Sequence, residues 1–284
     1  MSIRIKTLAF CILLLSQGQA CISSNQKNAN EKVEGEGPVL SFKAKSFKAT
    51  DLSGLLVSKK GAHISQLEFD ECTFEGDVSF GPLLDGFSVF TGTAIFRNCV
   101  FEGTVSGKMT QILGQLSFGK CRFKKVVNFQ NATFLGPVGF RECVCDGDIM
   151  FQNGLFMKEA NFMTSNFYGV SLFQSSRFME KAQFGNAIFH ANADFTMCRF
   201  QEGVSFDYAR IEGKIDFTDS RNDGLFSFRK TELKRAYLTN LKSFGPIRFI
   251  ETTFSDSLDT KGLLMVLDRI VVKDPKGMVI PDLK

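Results

Sequence analysis

Eight cysteines, two histidines and several spaced acids are the residues of this 284-residue chain that could carry chemistry. Cys99, Cys121 and Cys143 recur every 22 residues, a spacing that invites a metal site or disulfide bonds in an oxidising compartment. Asp194 and Asp216 are also 22 apart and would be the acid pair of a hydrolase acting on a glycan. His63 and His190 are isolated from each other and assemble neither a metal tetrad nor a nucleophile with its base. Glycines are frequent, but none forms a phosphate-binding loop between a strand and a helix.

The 22-residue interval belongs to a larger pattern. Phenylalanine accounts for 32 residues, against 3 Tyr and no Trp. From Phe118 to Phe228 a Phe stands at every eleventh position, and a second series, offset by five, runs from Phe123 to Leu233 and is interrupted only at Cys145, Ile211, Asn222 and Leu233. The combined spacing alternates five and six. Two residues before each member of the offset series the side chain is small, as at Cys121, Ala132, Cys143, Gly154, Ser165, Ser176, Ala187 and Cys198. Residues i−2 and i share one face of an extended segment, so each unit turns a small and a large side chain inward and sends i−1 and i+1 outward. Steps of five and six smear around a helical period, and Gly119, Gly136, Gly147, Gly169, Gly203 and Gly213 fall at or near unit corners. The pattern therefore predicts short extended sides that turn at regular corners and stack.

The units Ala182-Gln183-Phe184-Gly185-Asn186-Ala187-Ile188-Phe189 and Asn131-Ala132-Thr133-Phe134 resemble the pentapeptide-repeat family in its A-x-F-x-x-A-x-F form. That resemblance implies an all-β fold, a right-handed quadrilateral parallel β-helix. The extra residue in every second unit makes the coil about 22 residues instead of 20 and widens two corners. The grid reaches from about Ile64 to Phe254, with five residues inserted near Gly81–Asp85 and one missing before Phe244, and Phe42 and Phe47 extend it earlier. The domains expected are a signal peptide at 1–20, a flexible tether at 21–38, the β-helix with its N-terminal cap at 39–256, and a short C-terminal cap or tail at 257–284, where Leu263–Ile270 could be helical. Each coil buries about four large side chains, and a buried Phe contributes about 1.5–3 kcal/mol, so stacking supplies what one coil lacks.

Placed on this grid, the chemical candidates change meaning. Cys72, Cys99, Cys121, Cys143 and Cys198 occupy small inward positions and Cys145 a large one, so they read as core residues and, on parallel rungs, as free thiols. His190 points outward, and the Asp194/Asp216 pair reads as solvated surface. No catalytic residue, metal ligand or cofactor site follows. More informative is the side bearing Phe134, Phe156 and Phe178, where Leu135, Leu155, Met157 and Met179 form an outward apolar stripe bordered by a ladder of Arg177, Arg199 and Arg221. An apolar stripe edged by arginine is the composition of a protein contact.

Met1–Ala20 has the plan of a secretion signal: basic Arg4 and Lys6, the apolar run Leu8–Leu15, and small Gly18 and Ala20. Cys21 then resembles the lipid-bearing cysteine of bacterial lipoproteins, although Gly18 replaces the usual Leu, and cleavage by the ordinary signal peptidase is the alternative. The polar stretch Ser23–Gly37 suits a tether. The net charge is +4, falling to +2 without Arg4 and Lys6, which gives neither a nucleic-acid footprint nor an acidic DNA-like surface. The expectation is a non-catalytic scaffold or protein-interaction module of the cell envelope, membrane-held through Cys21, whose partner is an unidentified protein or another copy. The alternatives are a DNA-mimicking topoisomerase inhibitor, as the family resemblance suggests, and a carbohydrate-acting β-helix enzyme.

Overall fold

A computed structural model describes residues 30–33, 38–57, 63–81, 87–265 and 270–277. The chain winds as a parallel β-solenoid whose successive coils pair residue for residue at a step of 22: Phe118 with Phe140 on the first side, Val100 with Arg122 on the second, Val127 with Ile149 on the third and Phe134 with Phe156 on the fourth. At about 4.8 Å per rung, the nine strands of the fourth side, from Ser88–Phe90 to Leu264–Met265, span about 38 Å. Among the described residues the one α-helical turn is Leu52–Leu55, N-capped by Asp51, whose carboxylate accepts from the Ser53 N–H at 3.0 Å.

The Phe series lines the interior without exception from Phe118 to Phe228. Rings one coil apart stack nearly parallel, Phe162 on Phe184 at 4.9 Å and Phe173 on Phe195 at 4.8 Å, while rings from opposite sides meet edge-on, Phe173 against Phe184 at 5.5 Å. Phe173 and Phe184 stand on the third and first sides, so the edge-on contacts cross the interior between opposite sides; both arrangements suit the aromatic quadrupole and add to area burial. Where the fourth-side series breaks, Asn222 is buried and donates to the Gly224 carbonyl at 2.6 Å and the Ser243 hydroxyl at 3.0 Å. Phe226, at a slot elsewhere held by smaller residues, fills the space and meets Phe217 at 4.8 Å.

The two unit lengths make two kinds of corner. Five-residue units turn through one residue in the left-handed region, such as Lys120 (φ 55°), Asn131 (φ 58°), Asn153 (φ 56°) and Met197 (φ 57°). Six-residue units pass close over the coil below: a Cβ on Gly169 would lie 2.4 Å from the Gly147 carbonyl carbon. Glycine here answers close approach of backbones, whereas the positive-φ positions are mostly held by other residues, Asn and Asp among them.

The small inward residues also have a bonding task. Ser176 and Ser220 donate to the carbonyls of Phe151 and Phe195, both at 2.7 Å, and Thr231 to that of Phe206 at 2.7 Å. Ser165 bonds the Phe140 carbonyl in the same way. Cys143 and Cys198 make the corresponding thiol contacts with Phe118 and Phe173 at 3.3 and 2.9 Å. A polar group can thus sit in the core because a Phe carbonyl of the preceding coil lies within reach as its acceptor.

The coils begin before Ile64. Pro38–Lys43, Ser46–Phe47 and Thr50–Asp51 form a first coil in register with Gln66–Asp70, Thr73–Phe74 and Val78–Ser79, and the steps of 27 and 28 residues here accommodate inserted loops. Asn30–Val33, in the stretch expected as a tether, pairs antiparallel with Pro38–Ser41 and covers the open edge of the first side. At the other end, Leu264–Met265 is not helical as Leu263–Ile270 suggested: it is a fourth-side strand paired with Lys242–Ser243, because Met265 continues the inward column. Ile270–Lys273 and Lys276–Gly277 add further rungs. The expected signal peptide and Cys21 lie outside the described residues.

Candidate functional site

The fourth side has two outward columns. One carries Val89, Gln111, Thr133, Leu155, Arg177, Arg199, Arg221, Lys242 and Leu264, each paired to the next across one rung. The other carries Leu113, Leu135, Met157, Met179, Gln201, Asp223 and Phe244, which flank the same strands. The structure therefore places all seven residues of the sequence-derived face on one side. It also adds members: Phe87, 86% exposed, together with Val89 and Leu113, continues the apolar half toward the N-terminus. Stepping back by 22 from Leu135 and by 66 from Leu155 would have found Leu113 and Val89, whereas Phe87 lies off the grid beside the insertion.

The arginines do not border the stripe from a separate register. They continue the column of Leu155, so the side is divided along its length into an apolar half and a cationic half. Asp223 serves two of them, Arg199 at 3.4 Å and Arg221 at 2.7 Å. The Phe244 ring lies 4.2 Å from the Arg221 guanidinium and holds it by cation–π attraction. Among the described residues, neither Arg177 nor Lys242 has a carboxylate within 4 Å. Like charges about 5 Å apart repel by about 0.8 kcal/mol in bulk water and by several times that beside a low-dielectric surface. Beside the last two cations lies a shallow groove of about 510 Å³, bordered by Asp219, Arg221, Asn240, Lys242 and Leu264.

The other candidates are occupied. Asp194 accepts from Gln174 at 2.7 Å, and Asp216 accepts from Lys214 at 3.0 Å and from the Thr218 hydroxyl at 2.6 Å. Burial works against the charged form of Asp216, but the bonds from Thr218 and Lys214 outweigh it and hold the carboxyl below the usual aspartate value. Both aspartates are thus engaged in fixing neighbouring backbone and side chains. His190 stacks on Tyr168 at 4.2 Å and bonds Glu212 at 2.8 Å through Nδ1. His63 bonds Thr91 at 3.0 Å, far along the chain from His190.

Cys72, Cys99, Cys121, Cys143, Cys145 and Cys198 are buried free thiols. The adjacent Cys121 thiol, with burial, pushes Cys99 up to about 12. Desolvation raises Cys121, Cys145 and Cys198 well above the ordinary thiol value. These groups stay protonated near neutral pH, a poor state for metal ligation or nucleophilic attack. Among the described residues, no three His, Cys, Asp or Glu are placed to hold a metal ion.

Comparison with known proteins agrees with this geometry. A family model described as pentapeptide repeats (9 copies) matches residues 88–133, 173–221 and 184–232. The matched segments include the apolar start of the fourth side and its arginine ladder. No curated protein matches the chain.

Proposed function

Given that the chain belongs to the pentapeptide-repeat family and folds as a repeat-protein scaffold, we propose that it is a non-catalytic interaction module of the cell envelope that docks a protein through its fourth side. The observation that carries this reading is the contiguous outward surface from Phe87 to Lys242, apolar at one end and under-neutralised at the other. Side chains that bury nothing and pair with little cost the isolated molecule solubility and repulsion, and a complementary partner removes both penalties. The sequence features at Met1–Cys21 support export with lipid attachment at Cys21, followed by a polar spacer. Near-neutral overall charge weighs against DNA mimicry, and the engaged state of Asp194 and Asp216 weighs against a glycan-cleaving site.

Two measurements in cells test this. Palmitate should label the wild type and not Cys21→Ser. Chemical crosslinking should trap a defined partner whose yield collapses in Met157→Lys, since a charge would then stand in the middle of the apolar half. Crosslinks of undiminished yield in that variant would move the interface elsewhere.

A further inference from the structure

Resting on the docking reading above, we propose that the fourth side takes an α-helix of the partner, laid along the solenoid axis, whose contact stripe is apolar at one end and acidic at the other. The rung spacing is the first argument. Outward residues of one column repeat about every 4.8 Å and a helix presents one stripe residue about every 5.4 Å turn, so a helix falls one rung behind only over about eight rungs, the length of the face. An extended strand repeats its same-face residues at about 6.8 Å and drifts out of step within three rungs. The surface has the length for this, because its strands from Ser88 to Met265 cover about 38 Å, or about 26 residues of helix.

Charge sets the polarity of the stripe. Arg177, Arg199, Arg221 and Lys242 stand one rung apart with Asp223 as the acid held between two of them, and the facing turns of the partner must supply Asp or Glu. The preceding rungs, carrying Leu113, Leu135, Leu155 and Met157, call for Leu-like residues, as does Met179 beside Arg177, and methionine adapts to irregular partners. A second copy fits poorly. Side by side in parallel, two ladders would oppose each other, and overlap of the apolar halves alone would leave both cationic halves uncovered, far from the area of about 800 Å² per partner in a stable interface.

The probe is a synthetic 26-residue helical peptide with Leu along the first half of its stripe and Glu along the second. Binding to the full chain should be micromolar, weaken about tenfold in Arg177→Glu/Arg199→Glu, and weaken about tenfold with added salt. The same peptide interrupted by two prolines should lose binding to a similar degree. Leu113→Ser/Met157→Ser, which leaves the charges alone, should weaken binding and keep the salt response. Equal binding of the proline-interrupted peptide, or no effect of charge reversal in a folded variant, overturns the helix. Tighter binding to phosphatidylglycerol vesicles than to the peptide overturns it in favour of a lipid surface. Failure of the probe while the Met157-dependent crosslink persists in cells sinks the helix and spares the docking reading, whereas loss of both sinks the two together.

Discussion

The second and fourth sides of the solenoid are built on the same rungs, yet they treat their outward charges in opposite ways. On the second side most charges are matched, with Lys234 outside the pairs among the described residues: Lys124 meets Glu102 at 2.8 Å, Arg122 meets Asp146 at 2.9 Å, and Arg210 lies between Glu212 at 3.1 Å and Glu232 at 3.5 Å. On the fourth, Arg199 and Arg221 share Asp223, and Arg177 and Lys242 flank them. Since backbone and core are common to both, the difference lies only in residues that the fold leaves free. A matched side is a finished surface, and the less matched one is the surface that the proposed partner would complete.

The comparison breaks most completely if the shared core is not shared. Phe162→Ala should cost about 3–5 kcal/mol, and Phe162→Asp should abolish protease resistance on both sides at once, because that ring stacks on Phe184 at 4.9 Å. A protease-resistant Phe162→Asp would show that the ring is not inside. Next in size, Arg199→Glu should reduce partner crosslinking about tenfold, while Arg210→Glu, on the matched side, should leave the yield unchanged.

Stability sharpens the contrast at lower amplitude. Removing a partnered cation, as in Arg122→Ala, should cost up to about 1 kcal/mol, whereas Arg177→Ala should cost nothing or stabilise slightly by relieving repulsion. Chemical denaturation of the two variants separates them. Met197→Asn, at a left-handed corner beside the fourth side, should stabilise by about 0.5–1 kcal/mol, since Asn tolerates φ 57° better than Met and the Met side chain is largely exposed. The smallest effect concerns acid. The carboxyl of Asp216 is held below its unfolded value, so its contribution is complete above the ordinary aspartate range and fades as pH falls through the lowered value. Asp216→Asn should flatten that part of the stability profile, and an unchanged acid limb would mean that Lys214 and Thr218 do not hold the charged form.

Much of this was legible in the amino-acid order because the repeat is a packing rule. A Phe every five then six residues predicts short sides that stack, the family resemblance supplies their number per coil, and the periodicity assigns Cys121 and Cys143 to the interior and Leu135 and Met157 to the exterior. What escaped was whatever the period does not encode. The glycines marked corners but not why they are needed there: Gly169 is required by the backbone beneath it, while left-handed turns fall to residues such as Lys120, Asn131 and Met197. The bonds from Ser176, Ser220 and Cys198 to Phe carbonyls depend on which coil lies below. The arginines were visible as a ladder, yet the reach of Arg199 to Asp223 and the ring of Phe244 over Arg221 are contacts between rungs that no single repeat contains. Phe87 stayed hidden because the insertion before it interrupts the count.

The most direct test of the contrast between the sides is photo-crosslinking in cells from single positions on each. A benzophenone amino acid at Leu113, Met157 or Gln201 on the fourth side should trap an adduct of one and the same mass, and the same residue at Lys124 or Tyr168 on the second side should trap none. Adducts from the second side, or none from the fourth at equal expression, would contradict the account.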